Sequence, residues 1–194
     1  MNRMLKPLNI LLVGVGGQGT ILATRIMAKA AQDAGYDIKV SEIKGMSQRG
    51  GSVVTQIRLG EKVYSPLISE GKADAILAFE KMEALRWLSH LKDGGSIIIN
   101  DQAIPPMPVL TGATVYPADC LERVQQSTAK TTIVDALKIA VQCGNPKAAN
   151  VVLVGLLAKR LPIAKELWIN ALRVRVPEKF IDINLKAFEE GYSL

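Results

Sequence analysis

The chain has 194 residues, 48% of them hydrophobic and 22% charged, an ordinary globular composition that buries roughly 70% of the unfolded surface without a metal or disulfide staple. Its net charge of +6 comes with only 5% aromatic residues, which excludes a nucleic-acid surface of interleaved basic and aromatic side chains and favours an anionic ligand or an acidic partner. No apolar run approaches the ~18 residues of a membrane helix, and the run at residues 10–13 stops at Gly14, too short for a secretory core, so a cytoplasmic chain is expected.

Residues 9–13 form a short apolar run ending in glycine and read as a buried strand. Helical spacing follows over 18–34 through Ile21, Leu22, Ile26, Met27 and Ala30, with Gly35 as its stop. Residues 38–42 read as a second strand, completing a βαβ unit. A glycine-rich loop over 45–51 leads to alternating residues 52–59 and, after a turn at Gly60-Glu61, to a returning strand over 62–65. A buried strand over 75–79 precedes a helix over 80–91. Asp93-Gly94-Gly95 turns the chain into a strand over 96–100. The prolines of 104–108 mark a loop or edge segment, and 114–117 is a short strand. Helices are expected over 118–126, 131–143, 148–160, 163–172 and 180–191. The pattern predicts one α/β domain over residues 1–194. Its architecture is a three-layer α/β/α sandwich with a mixed, mostly parallel sheet and a helical C-terminal third.

Gly14-Val15-Gly16-Gly17-Gln18-Gly19 matches GxGxxG between a strand and a helix. Glycines there allow a tight turn and close backbone approach, and the helix N-terminus offers free N–H groups to an anion. Three readings stand: an anion or nucleotide grip, a turn that only packs helix on strand, and a true dinucleotide site with Glu42 as its acid. The second loop, Gly45-Met46-Ser47-Gln48-Arg49-Gly50-Gly51, adds a hydroxyl, an amide and a guanidinium that suits phosphate or carboxylate. Both loops follow strand ends, where such sheets bind ligands, and so point to a shared site. Basic excess is concentrated here, with seven Lys/Arg against three Asp/Glu in residues 1–49. The chemistry of an enzyme is otherwise missing. His90, the one histidine, reads as a surface or capping residue. Asp74, Glu80, Glu83 and Asp101 have no metal spacing. Cys120 and Cys143 form no CxxC pair and read as reduced core thiols, short of the about four that a cluster takes.

These residues support a resemblance. Gly-Val-Gly-Gly-Gln-Gly at 14–19, then Ser41-Glu42 and Gly45 through Gly51-Ser52-Val53, resembles the gamma-type domain of the 2-oxoacid:ferredoxin oxidoreductases. Gly144-Asn145, Asn150, Gly155, Pro177-Glu178-Lys179-Phe180, Asn184 and Gly191 are similar to the rest of that domain. Within the family the length is most like the free-standing beta subunits of the indolepyruvate branch, with the pyruvate and 2-oxoglutarate gamma subunits as close alternatives. The resemblance implies the fold of the third domain of pyruvate:ferredoxin oxidoreductase. It also implies a partner alpha-type subunit carrying thiamine diphosphate, magnesium and [4Fe-4S] clusters. The complex would use CoA, convert an aryl 2-oxoacid to acyl-CoA and reduce ferredoxin. The site residues it implies for ligand or cofactor contact are Gly14, Gly16, Gly17, Gln18, Gly19, Glu42, Ser47, Gln48, Arg49, Gly50 and Gly51. A stand-alone nicotinamide or flavin dehydrogenase and a purely structural docking subunit are the competing readings.

Overall fold

The computed structural model describes residues 5–45, 50–128 and 130–194. Its sheet is built from β1 (Leu8–Val15), β2 (Asp37–Lys44), β3 (Ser52–Gly60), β4 (Ala73–Ala78), β5 (Leu91–Asn100) and β6 (Thr131–Val134), in the spatial order β2-β3-β1-β4-β5-β6. β1, β4, β5 and β6 run parallel to one another, whereas β3 is antiparallel to both β1 and β2. The apolar run of β1 is explained by burial on both faces. Ile10 and Leu12 point into the larger core, and Leu11 and Val13 into the smaller one.

The larger core lies under α1 (Thr20–Asp33), α5 (Ala136–Gln142), α6 (Ala149–Arg160), α7 (Lys165–Arg175) and α8 (Ile181–Ser193). The smaller core lies under α2 (Lys81–Arg86) and α4 (Cys120–Ser127). This is the expected three-layer sandwich. α6 is the buried hub: Asn150 through Ala158 are all inside. It meets α8 backbone to backbone, since a Cβ on Gly155 would stand 2.3 Å from the Phe188 carbonyl oxygen and one on Gly191 2.0 Å from that of Val152.

Several expectations are corrected. The returning strand over 62–65 does not form, because both edges of β3 are already taken by β1 and β2. That segment instead folds back on side chains: Arg58 donates to the Ser65 carbonyl (3.1 Å), Val63 N–H to Asp37 (2.7 Å) and Ile68 N–H to Gln56 (2.6 Å). The helix expected over 131–143 divides. Thr-Thr-Ile-Val, rich in β-branched residues, becomes edge strand β6, and Asp135 then caps α5 by accepting from Lys138 N–H (2.9 Å). The helix over 80–91 is shortened to α2 and a 3-10 turn at Leu88–His90, and β5 starts at Leu91 rather than at 96. Residues 114–117 are not a strand, and the segment 104–108 leads into the one-turn helix α3 (Met107–Leu110).

Candidate functional site

The glycine turn sits where β1 feeds α1. Gly14 must be bare, since a Cβ would lie 2.9 Å from both Gln18 Oε1 and Phe79 Cβ. Gly19 is the helix N-cap with φ +79°, a left-handed conformation that favours glycine, and its missing Cβ would come within 2.4 Å of Asn150 Nδ2. Among the described residues no side chain caps α1, and its first turn carries no acid. The N–H groups of the first turn and the positive end of the helix dipole could therefore receive an anion.

Three amides brace this turn, Asn100 and Asn150 buried and Gln18 half-buried. Gln18 points inward: its Oε1 accepts from Val15 N–H (2.8 Å), and its Nε2 donates to the Phe79 carbonyl (2.7 Å) and to Gln102 Oε1 (3.0 Å). Asn100 donates to the same two acceptors (both 3.1 Å) and accepts from Ala136 N–H (3.1 Å). The C-terminal ends of β1, β4 and β5 are thus locked together. Asn150, only 5% exposed, donates from Nδ2 to the Gly19 carbonyl (3.2 Å). Its Oδ1 has no partner among the described residues. Beside them opens a cleft of about 660 Å³ whose lining includes Gly16, Gly17, Gly19, Lys147, Asn150 and Leu153. Among the described residues Lys147 is the one charged member of that lining, so the cleft there combines a cation with a helix N-terminus and faces no carboxylate. A hollow at the opposite end of the sheet, near Lys92, Lys130 and Arg160, is more fully paired: Lys92 bonds Asp74, Lys130 the Gly94 carbonyl and Arg160 the Thr132 hydroxyl.

The second loop joins the first. Gly45 N–H donates to the Ser52 carbonyl (2.8 Å), closing the base of the β2–β3 hairpin, and Gly16 N–H donates to the Gly51 carbonyl (2.9 Å). Gly50 adopts φ +77°. Ser47, Gln48 and Arg49 lie outside the described residues. Glu42 is exposed on β2 and paired with Lys44 (3.0 Å). Because β3 lies between β1 and β2, Glu42 is displaced two strand spacings, roughly 10 Å, from the glycine turn. It therefore stands apart from the cleft.

Glu80 is fully buried and ties three segments together. It accepts from Glu83 N–H (3.0 Å), Ile104 N–H (3.0 Å) and the Tyr116 hydroxyl (2.5 Å). Burial, and then the Glu80 carboxylate, push the Tyr116 phenol well above its ordinary range. Burial likewise raises the Cys120 thiol, with Glu80 adding to the effect. Glu83, 2% exposed, receives the Ser52 hydroxyl (2.5 Å) and Arg86 (3.1 Å). His90 packs against Trp87 with the rings tilted by 59° and their centroids 4.9 Å apart, before the start of β5 and so at the far end of the sheet. Among the described residues no three His, Cys, Asp or Glu side chains group as a metal site, and no helix is long and apolar enough to cross a membrane.

The sequence reasoning missed Asn100, Gln102 and Lys147 and named Asn150 for the resemblance alone. For Asn100 a signal was there: a polar amide closing the apolar run Ile97-Ile98-Ile99 is a buried polar group that needs partners.

The family model for pyruvate ferredoxin/flavodoxin oxidoreductase matches residues 9–194. The chain belongs to this family. It is 43% identical over 192 residues to the indolepyruvate oxidoreductase subunit IorB of Thermococcus kodakarensis, covering 96% of this chain and 95% of that one. The pyruvate/ketoisovalerate oxidoreductases common subunit gamma of the same organism is 24% identical over 93% of this chain and 92% of its own. The keto/oxoacid ferredoxin oxidoreductase gamma subunit of Geobacter sulfurreducens superposes with a TM-score of 0.70 at 27% identity, covering 96% of both chains. Among oxidoreductases of this family, both paired glycine loops and the amide brace thus sit on a fold shared with known gamma subunits.

Proposed function

We propose that this chain is the beta subunit, of gamma type, of a heteromeric indolepyruvate:ferredoxin oxidoreductase of the cytoplasm. The observation that carries the reading is the 43% identity to an IorB subunit over nearly all of both chains, against 24% to a pyruvate/ketoisovalerate gamma subunit. The complex oxidatively decarboxylates an aryl 2-oxoacid with CoA, giving acyl-CoA, CO2 and reduced ferredoxin. Thiamine diphosphate, magnesium and [4Fe-4S] clusters reside on the alpha-type partner. The donor set of this chain does not fit a cluster: its two cysteines are buried, one opening α4 and one closing α5, on helices over opposite faces of the sheet. Thiamine diphosphate on the partner supplies the carbanion chemistry. This chain binds and orients.

Its contribution is the cleft at the glycine turn. The N–H groups of α1 and the Lys147 ammonium hold the phosphate end of CoA, a polyanion that suits a lining without carboxylates. Gly14, Gly16, Gly17 and Gly19 let the backbone approach, Gln18 keeps the turn in shape, and Ser47, Gln48 and Arg49 between Gly45 and Gly51 complete the grip. Glu42 lies outside this set and serves the outer edge of the hairpin. One domain over residues 1–194 accounts for the whole site.

The test is anaerobic co-expression with the alpha-type subunit, followed by indolepyruvate- and CoA-dependent ferredoxin reduction. A charge-assisted contact is worth about 1.5–3 kcal/mol, so Lys147→Ala and Arg49→Ala each raise the KM for CoA by roughly 10- to 100-fold with kcat little changed. An unaltered KM in both variants refutes the CoA grip. Faster turnover of pyruvate than of indolepyruvate refutes the aryl assignment.

A further inference from the structure

Between β5 and α4 the chain makes a long, exposed and uncharged excursion. Residues 103–118 contain no charged side chain, in a protein where 22% of residues are charged. None of them is buried. Met107, Leu110 and Val115 are 62%, 66% and 86% exposed. Single exposed apolar residues are commonplace, but three on one short uncharged loop form the kind of patch that a partner covers. The contrast with β2 is instructive: Val40 and Ile43 are exposed there too, yet they alternate with Lys39, Glu42 and Lys44, as a solvated edge strand does.

This loop is held in shape. Within it, Leu110 N–H bonds the Pro106 carbonyl (3.1 Å), Thr111 N–H that of Met107 (2.9 Å) and Ala113 N–H that of Pro108 (2.8 Å). At its base one carboxylate oxygen, Glu80 Oε1, receives both Ile104 N–H and the Tyr116 hydroxyl, so the two ends of the loop are pinned to the same buried atom. Such an element binds with little ordering entropy left to lose. Its root also belongs to the site, since Gln102 and Ile104 line the glycine-turn cleft.

We propose that the loop over residues 104–116 is the docking element that seats this chain on its thiamine- and iron–sulfur-bearing partner. The inference rests on the subunit reading above. Interface cores are depleted in charged residues and enriched in methionine and other large apolar groups, which is the composition of this loop. Its place at the cleft mouth aligns docking with catalysis: when Met107, Leu110 and Val115 enter an apolar groove of the partner, the CoA end of the cleft is brought against the partner's active site.

The experiment uses the full chain carrying Met107→Glu, Leu110→Glu and Val115→Glu, and a milder Leu110→Ala/Val115→Ala version. Because these side chains point to solvent, both variants melt within about 2 °C of the parent. Titrated against the alpha-type subunit, the triple variant binds about 100-fold or more weakly and the double variant about 10-fold. In the parent complex the amides of 104–116 gain protection from hydrogen exchange. Parent-like affinity in both variants, with the loop unprotected, overturns the docking assignment and leaves the subunit reading standing. Failure of the parent chain to form a complex overturns both. Loop-dependent self-association of the isolated chain assigns the patch to a second copy and overturns the proposal as well.

Discussion

Gly19→Ala tests the link between the glycine turn and the hub helix. A Cβ at φ +79° costs about 1–2 kcal/mol from local sterics alone. It would also stand 2.4 Å from Asn150 Nδ2 and 3.1 Å from its Cγ. Asn150 must then overlap or swing off the Gly19 carbonyl, a further cost of about 1–3 kcal/mol. The single variant is therefore destabilised by about 2–5 kcal/mol, or roughly 4–20 °C in Tm for a chain of this size. In an Asn150→Ala background the obstacle is gone, and the same substitution costs only the local about 1–2 kcal/mol. Urea unfolding of the four proteins of this cycle measures the coupling, expected at about 1–3 kcal/mol, with the double variant more stable than the sum of single effects implies. Additivity within about 0.5 kcal/mol refutes the contact as the reason for glycine at this position.

Gly155→Ala pits helix propensity against packing. Alanine favours an isolated helix by about 1 kcal/mol, but here the methyl would meet the Phe188 carbonyl oxygen at 2.3 Å. A net loss of about 2 kcal/mol, or roughly 4–8 °C in Tm, is expected in thermal unfolding, and a stabilised variant contradicts the α6–α8 contact. For Tyr116, the phenol is pushed above the ordinary value of 10.0 by burial first and by Glu80 second. The folded state then holds its proton more tightly than the unfolded state, so this contribution is intact below pH 10 and is lost as pH rises beyond it. Absorbance titration of the phenolates should leave one of the four tyrosines unionised until the chain unfolds, and Tyr116→Phe should flatten the alkaline decline in stability.

Much of the fold was legible because its signals are local. The apolar run of β1, the glycine turn and the amphipathic α1 each declare themselves within a few residues. The adjacency of the two glycine loops was legible too: both follow strand ends, and the Gly16–Gly51 hydrogen bond joins them. What sequence did not reveal depends on pairing across the sheet. Whether 62–65 becomes a strand is decided by vacancy at the edge of β3, and no local pattern records that β1 will occupy it. Thr131–Val134 keeps a helix-compatible apolar content, yet the open edge of β5 claims it. The amide brace was hidden for the same reason. Gln102 is an unremarkable polar residue, and the amide closing the apolar run at Asn100 has no visible partner, until the parallel strands place both beside Gln18 and the Phe79 carbonyl.

The bond from Asn150 to the Gly19 carbonyl spans 131 positions of sequence. During synthesis the turn emerges early, while the amide that secures it follows roughly 7 to 26 s later at about 5–20 residues per second. Until then the start of α1 has neither its brace nor the far wall of the cleft beside it. Long-range closure of this kind is slow to find and late to mature. Completion of the hub helix thus sets when the turn gains its brace, and a chain ending before Asn150 carries the glycine turn without it.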